Sequence, residues 1–276
     1  MYLVIIVGAI ISLFCVCLYI LRLYYLRQVE MEKRSLIKRL KRSYDVLNTE
    51  KIEKLPEPIK KWLVISGMID KHMISNVKIR QKSVMRLSQN SDKWFKAEST
   101  QWFDAISPAF IWVVKVKYGF LRICGRDLFI EGKGSMKIKL FSIFGLVNSY
   151  GKYIDEGSAQ RFLAEMIWFP TSFVNDYISW EHIDSTSARA TLTYKETVVE
   201  GVFKFDKDGY FESFSTMRYM DSKPGAVKHK WSVSAIKNEK MKGIIIPTEL
   251  EATWHLPEGE WTWLKMKVKE IKYNIY

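Results

Sequence analysis

Ser158-Ala-Gln-Arg-Phe-Leu-Ala-Glu-Met-Ile-Trp-Phe-Pro170 is the stretch that decides how the rest of this chain is read. Phe162, Leu163, Met166 and Ile167 recur at helical spacing and Pro170 stops the run, so the stretch predicts a helix. On either side of it the apolar residues alternate with a period of two. A lone apolar helix among strands needs a cover, and the economical cover is an antiparallel sheet curled over it. The expected class is therefore mainly β (α+β).

Working outward, strands are expected over 94–103, 111–117, 121–130, 136–141 and 146–150 before the helix. After it they are expected over 180–183, 188–194, 198–205, 210–219, 228–236, 248–256 and 263–273. Turn signals lie at Ser107-Pro108, Tyr118-Gly119, Gly125-Arg126-Asp127, Gly132-Lys133-Gly134 and Asp206-Lys207-Asp208-Gly209. Gly132 to Lys137 looks superficially like a phosphate loop, but it lacks the spacing and precedes no helix, so it reads as a hairpin turn. About a dozen strands in one antiparallel meander must curl, which predicts a half-barrel wrapped over the central helix.

Arg161 and Glu165 stand one helical turn apart. On a helix beginning at Ser158, Arg161 lies near the positive end of the dipole and Glu165 near the negative end. Both then oppose the macrodipole, in the weaker of the two i,i+4 orders. Helix stability does not account for such a pair. It is either a structural ion pair held by neighbouring strands or a polar group placed at the wall of a cavity.

At the other end of the chain, residues 2–21 are apolar or small and carry no charge, a length of about 20 residues that matches the hydrocarbon core of a bilayer. A secretory leader would need a basic start, a shorter apolar run and a small-x-small cleavage site, none of which is present, so a retained single-pass anchor is expected over 1–22. The next segment, 23–54, is a basic juxtamembrane helix or linker, with Leu36, Ile37, Leu40, Tyr44 and Leu47 on one face of a helix expected over 29–47. The remaining 55–276 form the curved-sheet domain, entered through a short helix over 59–65 that Gly67 closes. The positive flank predicts a cytoplasmic domain, with an extracytoplasmic one as the alternative.

The net charge is +13, and the segment from Arg22 to Lys61 supplies six of those charges. Such a flank favours anionic lipid. No helix-turn-helix, zinc-finger or RNA-recognition pattern accompanies it, so nucleic acid is not an expected partner. Within the strands, Lys115 and Lys117, Lys137 and Lys139, and Lys265, Lys267 and Lys269 alternate with apolar residues, which sends the Lys rows to the outer face. Cys15 and Cys17 lie in the apolar run and Cys124 stands alone in the domain, so no disulfide framework is expected there. His72, His182, His229 and His255 show no ligand spacing, and neither a metal nor a cofactor is expected.

Several stretches carry a family likeness. Leu55-Pro-Glu-Pro-Ile-Lys-Lys-Trp-Leu63, Ser107-Pro-Ala-Phe-Ile-Trp112, Gly132-Lys-Gly134, Arg161-x-x-x-Glu165-x-x-Trp168-x-Pro170, Trp180-Glu-His-Ile-Asp184 and Ile246-Pro-Thr248 with Trp254 resemble, in order, an uncharacterised bacterial family of unknown function. The likeness covers most of the chain after Lys54. Its fold looks similar to the half-barrel of the lipoprotein-localisation factors (LolA/LolB-like), which implies an apolar cavity between sheet and helix. The N-terminal anchor departs from those soluble or lipidated carriers and favours a tethered receptor over a shuttle.

The expected function is a membrane-anchored, non-catalytic binding module for a lipid or other apolar ligand. Phe162, Met166 and Trp168 would face the ligand, with Arg161 and Glu165 at its polar end. Ten Trp residues and 14% aromatic content suit either cavity walls or a β-rich core. The alternatives are a hydrolase using Glu165 as general acid or base with Asp155 or Glu156, and a scaffold whose interior is filled by side chains. The sequence contains no Gly-x-Ser-x-Gly elbow.

Overall fold

A computed structural model describes residues 1–223 and 225–275. The chain opens with one long helix, α1 (Tyr2–Arg39). A short lead-in follows: β1 (Val46–Leu47), α2 (Thr49–Ile52), α3 (Glu57–Ile65) and β2 (Lys71–His72). The next six elements are β3 (Asn76–Met85), β4 (Phe95–Asp104), β5 (Ala109–Tyr118), β6 (Leu121–Ile130), β7 (Lys133–Leu140) and β8 (Phe144–Tyr150). Helix α4 (Lys152–Glu165) comes next, with 3-10 turns at Met166–Trp168 and Pro170–Val174. The chain ends in β9 (Ile178–His182), β10 (Ser187–Tyr194), β11 (Thr197–Phe205), β12 (Phe211–Tyr219), β13 (Lys228–Met241), β14 (Ile244–Leu256) and β15 (Gly259–Tyr273).

Strands β3 to β15 form one antiparallel sheet in the order β8-β7-β6-β5-β4-β3-β15-β14-β13-β12-β11-β10-β9. In a flat sheet β7 and β11 would lie roughly 43 Å apart at the usual strand spacing. Both nevertheless pack against α4, a rod only about 10–12 Å wide. The sheet therefore curls round the helix. Its two flanks also meet directly, where Thr197 Oγ1 donates to Gly132 O at 3.0 Å. The edges β8 and β9 do not pair with each other, so the half-barrel stays open.

The concave face is the core. Phe103, Phe110, Phe129, Phe162 and Phe169 pack ring against ring with centroids 5.0 to 6.3 Å apart. The Glu131-Gly132 turn joins β6 to β7 with φ of 51° and 74°, a left-handed pair that fits a two-residue hairpin. The Asp206–Gly209 turn is likewise where the sequence places it, with Asp206 Oδ1 accepting from the N–H groups of Asp208 and Tyr210 at 2.9 Å.

Four expectations are corrected. The central helix starts at Lys152 rather than Ser158 and ends at Glu165, so Met166, Ile167 and Trp168 sit in a 3-10 turn. Gly125-Arg126-Asp127 is mid-strand in β6, where Gly125 makes room for Val114, whose Cγ1 would lie 2.8 Å from an added Cβ. The juxtamembrane helix stops at Arg39, and Val46–Leu47 pairs as a strand with Lys71–His72. Strand β3 was not anticipated, because its inward row carries polar Gln81 and Ser83 between Ile79 and Met85 and breaks the apolar alternation.

Helix α1 has two distinct halves. None of residues 2–24 is buried, and this half is long and apolar enough to cross a membrane. The second half docks on the outer face of the sheet: Leu36 is fully buried against Ala109 and Ile111, and Tyr25 is buried as well. Between them Arg126 Nη2 donates to Glu32 Oε1 at 3.1 Å, and its Nε lies 2.8 Å from Glu32 Oε2. Helix and strands are thus one body.

The seat of α4 on β7 is a backbone contact. A Cβ on Gly134 would lie 2.5 Å from both Ile154 O and Ser158 Oγ. Gly134→Ala is expected to lower stability by about 1–3 kcal/mol, the range for overpacking a filled site. Gly145→Ala, with nothing within 4 Å, should be nearly silent. Chemical denaturation of the two variants checks this, and equal midpoints would refute the close seat.

Candidate functional site: arginines on the concave face

Period-two geometry places three polar residues on the inward rows of the sheet. Gln101 follows Ala97 and Ser99, Asp127 follows Ile123 and Gly125, and Arg218 follows Phe214 and Thr216. Helix α4 aims Arg161 and Glu165 at the first two. Arg161 Nη1 donates to Asp127 Oδ2 at 2.7 Å and its Nε to Glu165 Oε1 at 2.9 Å. Gln101 Nε2 donates to Glu165 Oε2 at 2.7 Å. The guanidinium also lies over the Trp112 ring, 4.5 Å from its centroid. Trp112 Nε1 in turn donates to Gln81 Oε1 at 3.3 Å.

The network is enclosed but not sealed: the side chains of Arg161, Asp127 and Glu165 are 14, 17 and 11% exposed. Burial works against the Arg161 charge, and Glu165 and Asp127 outweigh it, so its pKa is raised. Burial pushes the Glu165 carboxyl above the ordinary carboxylate value even though Arg161 and Gln101 pull it down. Arg161 is the tenth of fourteen residues in α4, so it does not oppose the macrodipole as a helix starting at Ser158 would require. The pair is one side of a three-way bridge rather than a surface couple.

Arg218 is different. It lies 4.8 Å from the Trp231 ring centroid and 5.8 Å from that of Trp254, and no ion pair reaches it among the described residues. Its Nε is buried without an acceptor, as is the Nε1 of Trp231. Gly157, in the middle of α4, leaves the space for it, since a Cβ there would come within 3.3 Å of Arg218 Nε. Burial, followed by the nearby Arg161 charge, pushes its pKa down to about 10, so it remains a cation at neutral pH.

The other residues singled out from the sequence divide. Phe162, Met166 and Trp168 are core side chains with at most 2% exposure. Trp168 is further fixed by its Nε1, which donates to Pro247 O at 3.0 Å. Asp155 accepts from Gly134 N at 2.7 Å and Glu156 pairs with Lys228, so both acids are engaged away from Glu165. The exposed Lys rows do face outward: Lys115, Lys117 and Lys269 border a groove of about 610 Å³ on the outer face. Lys265 and Lys267, in the same groove, are paired with Glu251 and Glu249. Asp127, Gln101 and Arg218 were missed, although each occupies the inward parity of its strand.

A family model described as a family of unknown function, DUF6544, matches residues 45–266. The chain belongs to DUF6544. The DUF6544 region takes in β1, the curved sheet as far as β15, and α4, and it leaves α1 outside. Among solved structures the chain is similar to the crystal structure of a LolA superfamily protein from Nitrosomonas europaea. The two share 8% identity over 79% of this chain and 93% of that one, with a TM-score of 0.40. A comparison with curated proteins finds no match.

The raised Glu165 pKa has a stability signature. The native state holds the proton more tightly than the unfolded chain, whose carboxyl titrates near 4.5. The contribution of Glu165 is therefore full below that value and is lost as pH rises through the folded value. Melting temperatures of the wild type minus those of Glu165→Gln should fall as pH rises from about 4.5 towards neutral. A difference that grows with pH would contradict the assignment.

Proposed function

We propose that this chain is a membrane-anchored, non-catalytic binding module that holds a lipid or other apolar ligand with an anionic end inside the curved sheet. The observation that carries the reading is Arg218, a cation between two indole rings that makes no direct ion pair among the described residues, with the Asp127 and Glu165 carboxylates reaching it only at longer range. A half-buried charge whose Nε has lost water without gaining an acceptor is costly, and a ligand that pairs with it offsets that cost. An incoming carboxylate or phosphate would supply both the charge and the acceptor that Arg218 Nε lacks. In this reading Arg161 and Glu165 position the head group from beside it. Phe162, Met166 and Trp168 form the packed floor behind, and α1 is the single-pass anchor.

Native mass spectrometry of full-length protein extracted in mild detergent tests this. Wild-type protein is expected to carry an anionic lipid, and Arg218→Gln to retain about tenfold less or lower still, the worth of one charge-assisted hydrogen bond. Removing an unpaired buried charge should leave the melting temperature equal or higher, so that lost lipid is not lost fold. Equal retention by both proteins, or wild-type protein free of lipid, would overturn the reading.

The basic flank of α1 supports a cytoplasmic domain. A protease-sensitive tag appended after Tyr276 should be protected in intact cells and cleaved once they are opened. Cleavage in intact cells would reverse the orientation.

A further inference from the structure

The geometry points to a second contact with the bilayer: we infer that the β5–β6 and β7–β8 hairpin tips insert into the membrane interface beside α1. This goes beyond the ligand site and rests on α1 being the anchor.

Exposed apolar side chains are denser on and beside these two tips than on the β3–β4 connection, which has Leu87 and Trp94, or the β12–β13 connection, which has Met220 and Val227. Phe120 is 89% exposed, and Tyr118, Phe141, Phe144 and Leu146 are exposed as well. The Glu131-Gly132, Asp206–Gly209 and Lys242-Gly243 turns present charged residues and no exposed large apolar side chain. The two tips also act as a unit, because Phe141 N donates to Arg122 O at 2.7 Å. Tyr118 extends the patch by stacking on Phe95 at 4.4 Å. Lys117, Arg122 and Lys139 rim it with positive charge. Aromatic rings with basic neighbours are what a headgroup region accepts.

The docked half of α1 sets the height of the tips. Leu36 packs on Ile111, which is level with Leu128 of β6, and Tyr25 lies beside Cys124 and under the Lys139 ammonium, 4.9 Å from its ring centroid. From Leu36 to Tyr25 the helix advances about 16 Å, and from Leu128 to Cys124 the strand covers about 13 Å, so helix and strand run side by side. Phe120 lies four residues beyond Cys124, about 13 Å, which is about nine helical residues. Counting back from Tyr25, that is the level of Val16, inside the apolar run 2–21. If α1 crosses the bilayer at that run, Phe120 is carried to the depth of the lipid. A bilayer is the occupant that this continuity selects.

The test uses the full chain in nanodiscs of phosphatidylcholine and phosphatidylglycerol, with Cys15, Cys17 and Cys124 replaced by serine. Single labels are placed through Phe120→Cys, Leu13→Cys and Asp208→Cys. Each label carries an environment-sensitive dye, read with brominated acyl chains and with aqueous iodide. The Phe120 label should be quenched by brominated lipid and shielded from iodide, and the Asp208 label should behave in the opposite way. A lipid-quenched Leu13 label with an iodide-quenched Phe120 label would overturn the proposal while leaving the anchor in place. A Phe120 label shielded from iodide yet untouched by brominated lipid would mean a protein covers the tips, and would also overturn it. If the Leu13 label is itself open to iodide the anchor reading fails; a lipid-quenched Phe120 label would then sustain insertion of the tips alone, and an iodide-quenched one would end it.

Discussion

One constraint governs the domain: both flanks of a single curled sheet must reach the same helix. On one side α4 touches β7 backbone to backbone at Gly134, where the Asp155 carboxylate also accepts the strand N–H. On the other side Gln160 Nε2 donates to Thr216 Oγ1 and to Met217 O of β12. Gly157 lets Arg218 lie against the helix on that same side. These are close approaches that tolerate little added volume, so the curvature of the sheet and the position of α4 are fixed together. A glycine in mid-helix costs roughly 1 kcal/mol relative to alanine, and at position 157 the space it leaves is occupied by a cation.

That packing also explains why the two interior arginines differ. Arg161 emerges on the side of α4 that faces β4 to β6, where Asp127 and Gln101 occupy inward positions. It is matched by two carboxylates, and removing it would strand both, at a cost on the order of 3–5 kcal/mol. Arg218 reaches the helix from the opposite flank, where the inward rows offer the Trp231 and Trp254 rings. Cation–π contact offsets part of its desolvation and supplies no acceptor. The fold therefore has one saturated cation and one that is open to pairing.

Much of this architecture was legible in the sequence. Strands whose inward row is uniformly apolar announced themselves by alternation, and the curl followed from their number. Failures occurred where function or packing put polar groups inside. Gln81 and Ser83 hid β3, and Lys152, Asp155, Glu156 and Gly157 hid the first turns of α4. The six residues from Lys152 to Gly157, more than one and a half turns, are why a helix starting at Ser158 puts Arg161 at the wrong end of the dipole. Arg218 could have been found, since Phe214-x-Thr216-x-Arg218 continues one apolar row into a charge. Asp127 lies in the strand expected over 121–130, but the turn signal at Gly125-Arg126-Asp127 obscured its place in the inward row. The pairing of Arg126 with Glu32 lay beyond pattern reading altogether, being a contact between elements 94 residues apart.

The docked half of α1 fixes which end of β5 to β8 the apolar half of the helix runs past. Strand alternation puts the β5–β6 and β7–β8 hairpins at one end of their flank, and the curl brings the β12–β13 connection of the other flank to the opposite end of β7 and β8, where Ser222 Oγ lies 3.3 Å from Ser149 Oγ and Tyr219 packs on Tyr153. Arg218 stands one residue from the end of β12, and Trp231 and Trp254 lie near the matching ends of β13 and β14. The unpaired cation therefore lies towards the end of the β6–β7 turn, away from the apolar hairpin tips. Because Glu32, Leu36 and Tyr25 tie α1 to β5, β6 and β7, the apolar half of the helix cannot be redirected without breaking the Arg126 bridge and exposing Leu36. The fold thus holds its apolar tips and its unpaired cation at different ends, the first set by the docked half of α1 and the second by the seat of α4.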